Sequence, residues 1–352
     1  MSLWGRTLPA ELAPVIEVLD QVAEIDDRPL PDLDDAQSHS LRAQLGRLGL
    51  WTVGSDELLG GGGDPVAAAA VVRRLAHRSA GLAWGAVQAH AAIGLLGRNP
   101  RWTRLLDDIH TGTVGVAVTS FGVTAHDSPA SAQSGVTFDV ATPAEPALAR
   151  FERIDGCGTE PWVLALDGEN TAWVIPPESI DFDTVRRTGF CGTGTGRATL
   201  RQALSTDNLL GDVDVEATTT LRLGAAAIAV GLAEAGVAAA WRYCRARTQF
   251  GAPLTDLVAV RESLYRNARD AGLLDVTSLD PRGVDVRRAA ALADAACEAA
   301  VDVTAGAIQM HGGYGYLVEY GVERLFRDAV SLRAAIDIPA TRRQTARALV
   351  AG

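Results

Sequence analysis

From Leu223 to Trp241 the sequence is an almost unbroken run of Ala, Gly, Val, Ile and Leu, interrupted by Glu234. A helix that is apolar on every side must be covered on every side, so the segment requires either a membrane or a shell of other helices. The embedded carboxylate and the small side chains favour the second, a buried helix. With 352 residues, 47% of them apolar and 21% charged, the chain is long enough to build that shell, and its length suggests two or three structural units. The opening Met1-Ser-Leu-Trp-Gly-Arg6 has no long apolar stretch behind a basic one. No secretory leader is expected, and the reading is a cytoplasmic protein with no membrane partner.

The rest of the chain divides by the texture of its sequence. Leu12, Val15, Ile16, Leu19 and Val22 recur at helical spacing between Pro9 and Glu24, and Leu41, Leu45 and Leu48 mark a second helix. Pro65 to Gly97 is rich in Ala, Val and Leu with few breakers, as buried helices are. Between about His110 and Leu210 the texture changes to short β-branched runs, Gly115–Thr119, Val136–Val140, Trp162–Leu166 and Thr171–Ile175, set between Gly, Pro, Asp and Ser. Helical periodicity returns over Glu216–Thr248, Pro253–Leu274, Arg282–Met310 and Val318–Ile336. The expectation is an α+β, mainly α protein: an N-terminal helical domain over 1–109, a middle β domain over 110–214 and a C-terminal four-helix bundle over 215–352.

Several function classes fall away. The net charge of -11 is wrong for a protein that tracks a polyanion, so nucleic acid is not an expected partner. All 32 basic residues are Arg, which removes Schiff-base chemistry and the P-loop lysine. Cys157, Cys191, Cys244 and Cys297 are widely spaced, so no metal site is expected and the thiols should be reduced and mostly buried.

Two segments carry binding chemistry. Arg247-Thr-Gln-Phe-Gly-Ala-Pro-Leu254 closes one long helix and opens the next, placing a guanidinium and an aromatic ring beside a glycine turn. A guanidinium there can bond a pyrophosphate bidentately while the ring covers an adenine. Alone, the segment is better read as a solvated arginine and a core phenylalanine at a helix end. Some sixty residues on, Ile308-Gln-Met-His-Gly-Gly-Tyr-Gly-Tyr316 offers paired glycines for close ligand approach and the Gln309 amide, although helix C-caps use the same residues. Glu319-Tyr-Gly-Val-Glu-Arg-Leu-Phe-Arg-Asp328 follows.

Taken together these segments resemble the C-terminal domain of the acyl-CoA dehydrogenases, whose pattern reads R-x-x-F-G, Q-x-x-G-G-x-G-Y and E-Y-x-x-E-R-x-x-R-D-A in that order. Upstream, Leu48-Gly-Leu-Trp51, Gly60-Gly-Gly-Gly-Asp64 and Asp207-Asn-Leu-Leu-Gly211 are similar to further family signatures. The resemblance implies FAD shared between neighbouring subunits, an acyl thioester such as acyl-CoA as substrate, and electron-transfer flavoprotein or another acceptor as electron partner. Carried over by motif, Arg247, Gln249 and Phe250 would meet the pyrophosphate and adenine side of FAD. Gln309, Gly312 and Gly313 would meet the cofactor of a neighbouring subunit, Val118 and Thr119 would lie at the flavin ring, and Arg222 would lie near the acyl-CoA chain.

The pattern breaks where the family keeps its glutamate base. After Arg327-Asp-Ala329 the usual Y-E-G-T turn is missing, and Ala335 or Ile336 occupies the base position; the alternative position on the earlier helix, immediately before Arg222, is Leu221. Asp337 is the nearest carboxylate, one or two residues off register, and is either the base or a solvated loop acid. The G-x-K-x-W-I-T strand pattern has no counterpart among Ala141 to Pro161, and His126 in the flavin-loop segment is a proton donor or merely an exposed loop histidine. The chain therefore resembles the degenerate subunit of hetero-oligomeric acyl-CoA dehydrogenases, as a homo- or hetero-oligomer. The alternatives are a relative with oxidase or oxygenase chemistry, or a non-catalytic scaffold.

Overall fold

The computed structural model describes residues 9–26, 30–97, 99–120, 150–166, 171–202, 204–212, 215–278 and 282–351. Helices α1 (Ala13–Val22), α2 (Asp35–Arg47), α3 (Pro65–Arg78), α4 (Ala80–Leu96) and α5 (Thr103–His110) make up its first third. The boundaries follow local chemistry. Asp34 accepts from the Gln37 amide while Gln37 reaches back to the Asp34 amide, a reciprocal cap that starts α2. Asp64 caps α3 ahead of Pro65, which stands where a missing N–H costs nothing. Ser79 ends α3 and caps α4 by accepting from Leu82 N at 3.1 Å, so the stretch read as Pro65–Gly97 is two helices broken at one extended residue.

The central part holds two sheets. One has the order β1 (Val116–Ser120), β3 (Trp162–Leu166), β4 (Thr171–Ile175), β7 (Leu209–Asp212), and the other β2 (Arg150–Asp155), β6 (Thr195–Leu200), β5 (Ile180–Thr184). Strands β1 and β3 run parallel, Val116 opposite Trp162 and Ser120 opposite Leu166. The pleat sends alternate residues to different cores. Val116, Val118, Leu164 and Val174 join the main helical core, whereas Ala117, Val163, Ala165 and Ile175 pack with Phe151, Ile154, Ile180, Ala198 and Leu200 between the sheets. Three of the four expected strands form; Val136–Val140 lies outside the described residues, as does His126.

Helix α6 (Glu216–Ala246) contains the expected buried helix, and with α7 (Val258–Ser278), α8 (Val286–His311) and α9 (Val322–Ala335) it makes the four-helix bundle. It is long and apolar enough to cross a membrane by length and composition, and 78% of its most apolar window is buried inside the protein. Helices α3, α4, α7, α8 and α9 all pack on it. The packing is close enough that a Cβ on Gly224 would overlap Val87 of α4. A fifth helix, α10 (Ile338–Ala351), lies along α8 and was not expected from the sequence.

The Glu-Arg-x-x-Arg-Asp stretch of α9 joins the parts. Arg324 donates to the Leu30 carbonyl at 2.8 Å and the His77 carbonyl at 2.9 Å, and pairs with Asp328 at 3.1 Å. The other oxygen of Asp328 accepts the Phe190 amide at 2.8 Å. One buried ion pair therefore ties the bundle, the N-terminal helices and the β domain together. Cys157, Cys244 and Cys297 are buried free thiols and Cys191 is half-buried; burial pushes Cys157 up to about 11 and Cys297 up to about 12, which keeps both protonated.

Candidate functional site

The sites expected from the sequence fall into two groups at opposite ends of α6. The first centres on β1. The Val118 amide donates to Gln88 Oε1 at 2.9 Å, and Gln88 Nε2 donates to the Asp155 carbonyl, so one α4 side chain fixes two strands from different sheets. The Asp155 carboxylate is held by Arg153 Nε at 2.7 Å, by Arg187 Nη1 at 2.9 Å and by the Thr195 hydroxyl. The Val118 N–H is therefore engaged inside the chain, and Thr119, half-buried and opposite Ala165, is the next position along the strand. Gln88 was not expected. Its only signal is an isolated amide in the apolar run Ala80–Leu96, where a buried polar group needs partners.

The second group lies past the other end of α6. Arg247 caps that helix, and its carbonyl accepts the Leu254 amide at 2.9 Å across a two-stranded hairpin in which Gln249 pairs with Ala252. The hairpin turns on two successive left-handed residues, Phe250 at φ 54° and Gly251 at φ 83°, a primed turn in which a non-glycine residue is strained. Phe250, at the tip of this turn, is 93% exposed.

The Arg247 guanidinium lies 5.8 Å over the Tyr314 ring, which brings the hairpin and the glycine turn together. Tyr314 tilts against Tyr320 at 5.4 Å; Tyr320 stands edge-on to Tyr243 and His311, and those two stack at 4.3 Å. His311 bonds the Ala307 carbonyl at 2.7 Å, and burial lowers its pKa. A cluster of packed aromatic rings thus lies beside an exposed rim. Gln309, Gly312 and Gly313 are on that rim, and a Cβ on either glycine would meet no atom within 4 Å.

Arg222 sits near the start of α6, buried at 9% exposure, and donates to the Val286 carbonyl at 3.0 Å. Twenty-five residues separate it from Arg247, roughly 37 Å at the helical rise. Leu221, Ala335 and Ile336, at the positions where the resemblance led to the expectation of a base, are apolar side chains packed on the main core. Asp337 joins α9 to α10 at φ 46°, and its Oδ1 accepts the Ala340 amide at 3.2 Å, as a helix N-cap does. Its carboxylate is thus half-buried and structurally engaged. Among the described residues no cluster of His, Cys, Asp and Glu could hold a metal ion.

Residues 212–335 match the acyl-CoA dehydrogenase C-terminal domain. Over nearly its whole length the chain is similar to a probable acyl-CoA dehydrogenase, YngJ, of Bacillus subtilis, 28% identical over an alignment 358 positions long, gaps included, that covers 91% of this chain and 88% of that one. Among solved structures it superposes on butyryl-CoA dehydrogenase from Megasphaera elsdenii with a TM-score of 0.80 at 22% identity, covering 98% of this chain and 99% of that one. The ChsE4-ChsE5 complex from Mycobacterium tuberculosis gives a TM-score of 0.77 at 20% identity, with 98% of both chains covered.

Proposed function

We propose, starting from a chain that has the acyl-CoA dehydrogenase fold and that family's C-terminal domain, that it is an FAD-dependent oxidoreductase subunit acting in α,β-dehydrogenation of an acyl thioester. The observation that carries this reading is the exposed pairing of Arg247 with Tyr314 beside Gly312 and Gly313. A fixed cation, an open glycine backbone and an exposed aromatic ring at Phe250 are what the pyrophosphate and adenine of FAD require. When bound, FAD supplies the two-electron acceptor.

The roles of the chain's own residues follow from their placement. Arg247 would hold the pyrophosphate, Gln249 and Phe250 would border the adenine side, and Gln309 with Gly312 and Gly313 would face the cofactor of an adjoining subunit. Thr119 and the strand around Val118 would border the ring from a separate position, with the Val118 amide kept by Gln88. With roughly 37 Å of helix between Arg222 and Arg247, the reacting end and the pyrophosphate end belong to different subunits. An oligomer, with itself or with a related chain, follows.

The reaction also needs a base for the α-proton, and Leu221, Ala335 and Ile336 cannot accept one. The base therefore comes from a partner subunit, and the electrons leave to electron-transfer flavoprotein or another acceptor. The deciding experiment is purification of the chain, alone and with candidate partner subunits, followed by its visible spectrum and by reduction of an artificial acceptor with acyl-CoA. Bound flavin with turnover only in the paired preparation is expected. A colourless protein under all conditions would overturn the proposal.

A further inference from the structure

The chain is acidic, with a net charge of -11, yet α10 carries Arg342, Arg343 and Arg347 and no Asp or Glu. One face of this helix is seated. Ile338 and Thr341 are buried and Thr345 and Ala348 half-buried, a stripe at helical spacing on a helix that packs along α8. Arg342 locks the seat: its Nε donates to Asp294 Oδ1 at 2.8 Å and Oδ2 at 2.7 Å, and its Nη2 stands 3.1 Å from Glu298 Oε1. The other face is open. Arg343, Ala346, Arg347 and Val350 follow one another at i, i+3, i+4 and i+7, and all are exposed. Neither Arg343 nor Arg347 makes an ion pair among the described residues.

What meets this face must satisfy two cations and an apolar side chain on a convex surface. A small ligand needs a concave site, which the outside of a helix does not provide. Two free arginines are too few for a membrane surface, where basic clusters of roughly four to eight residues act, and the net charge opposes a nucleic acid. An acidic protein surface is the complement. Arginines one turn apart pair with carboxylates on a facing helix, and Val350, 85% exposed, supplies the apolar contact beside them. Position says what such a protein brings. Helix α10 springs from Ile336 and Asp337, where the resemblance puts the reacting end of the acyl group, and Arg343 and Arg347 follow Ile338 by about 8 Å and about 14 Å of helix.

We propose that the Arg343–Arg347 face of α10 docks a small acidic carrier protein that holds the acyl group as a pantetheine thioester. The carrier's carboxylates meet the two guanidiniums, and its flexible arm runs back along α10 toward the reacting end. Charge steers the encounter, so association is strongest at low salt and falls as ions screen it. Naming the cargo as an acyl thioester rests on the function proposed above; the docking of an acidic protein to this face does not.

The test is titration of the purified protein, alone and with its partner subunit, with a fluorescently labelled, butyryl-loaded acyl-carrier protein and, separately, with butyryl-CoA. Wild type is compared with the double variants Arg343→Glu, Arg347→Glu and Arg343→Lys, Arg347→Lys. Both positions are exposed and make no ion pair, so the unfolding midpoint should not move. Saturable carrier binding, weakened at least about tenfold by the two glutamates, largely kept by the two lysines and weakened by salt, is expected, with butyryl-CoA treated alike by all three proteins. No saturable carrier binding by the wild type, or equal binding by wild type and the glutamate variant, overturns the docking face. Loss of butyryl-CoA binding in the glutamate variant also overturns it, by making these arginines nucleotide contacts. Dissociation of the oligomer in that variant, read by light scattering, overturns it by making the face a contact between subunits. The visible spectrum separates this face from the proposed function. A flavin-free protein that binds the carrier through these arginines keeps the face and overturns the function. A flavin-loaded protein that dehydrogenates butyryl-CoA with its partner and ignores the carrier does the reverse.

Discussion

Gln88 of α4 accepts the Val118 amide of β1 at 2.9 Å, and the same side chain donates to the carbonyl of Asp155 in β2. The helical and β parts are thereby registered to each other beside the strand expected to border a flavin. Gln88→Leu should leave a buried donor and a buried acceptor unsatisfied and destabilise the protein by about 2–4 kcal/mol. Gln88→Glu can still accept from Val118 but cannot donate to Asp155 when ionised, so it should be intermediate at low pH and worse at neutral pH. Urea unfolding of the three proteins checks this; equal midpoints would reject the linkage.

The elements that were legible in the sequence are those whose pattern is local. The apolar run Leu223–Trp241 is the core of α6, and Trp162–Leu166 and Thr171–Ile175 are strands to the residue. What was missed depends on distant partners or on breakers in permitted places. Pro339 reads as a stop, yet it is the second residue of α10, where its absent N–H has no helical partner to lose. Strand β2 forms within the segment that lacks the family's strand pattern, because Phe151 and Ile154 fill the space between the sheets. The pairing of Arg247 with Tyr314 was foreshadowed only as two separate motifs. Gln88 matters through residues 30 and 67 positions away, and no window of sequence reveals that.

The carboxylate that interrupts the apolar run is paired across helices: Glu234 of α6 takes Arg73 of α3 through two hydrogen bonds and faces His77 at 3.8 Å. Burial would raise its pKa, but His77 and Arg73 outweigh burial and hold it at about 2. The folded value lies below the unfolded one of 4.5, so this carboxylate contributes stability above about pH 4.5 that is lost as the pH falls toward 2. Glu234→Gln should therefore cost about 3 kcal/mol at pH 7. The gap to the wild type should close on acidification through that window. Unfolding free energies at a series of pH values decide it, and a gap independent of pH would contradict the assignment.

Arg247 makes no ion pair among the described residues, and its side chain is exposed over Tyr314. Arg247→Ala should change the unfolding midpoint little while lowering FAD affinity at least about tenfold, through loss of one or two charge-assisted hydrogen bonds. Tyr314→Phe keeps the ring beneath the guanidinium and should retain flavin nearly as well as the wild type. Flavin absorbance after dialysis reports both. Full retention by Arg247→Ala would remove this arginine from the cofactor site.

Asp337 stands between two roles that one substitution separates. As the cap of α10 it needs an acceptor for the Ala340 amide and tolerance of φ 46°, and asparagine supplies both. As a base for the α-proton it needs a carboxylate, and asparagine removes it. The half-buried, amide-bound geometry favours the cap, so Asp337→Asn should leave stability within about 0.5 kcal/mol of wild type, whereas Asp337→Ala should lose about 2 kcal/mol from the cap and the left-handed backbone together. In the assay with acyl-CoA and an artificial acceptor, the isolated chain should stay near background, and its complex with a base-bearing partner should turn over equally with Asp or Asn at 337. A fall of about a hundred- to ten-thousandfold in the Asn complex would make Asp337 the base after all. Steady turnover by the isolated Asn variant would instead mean that neither this carboxylate nor a partner's base is required, and would turn the reading toward oxidase or oxygenase chemistry.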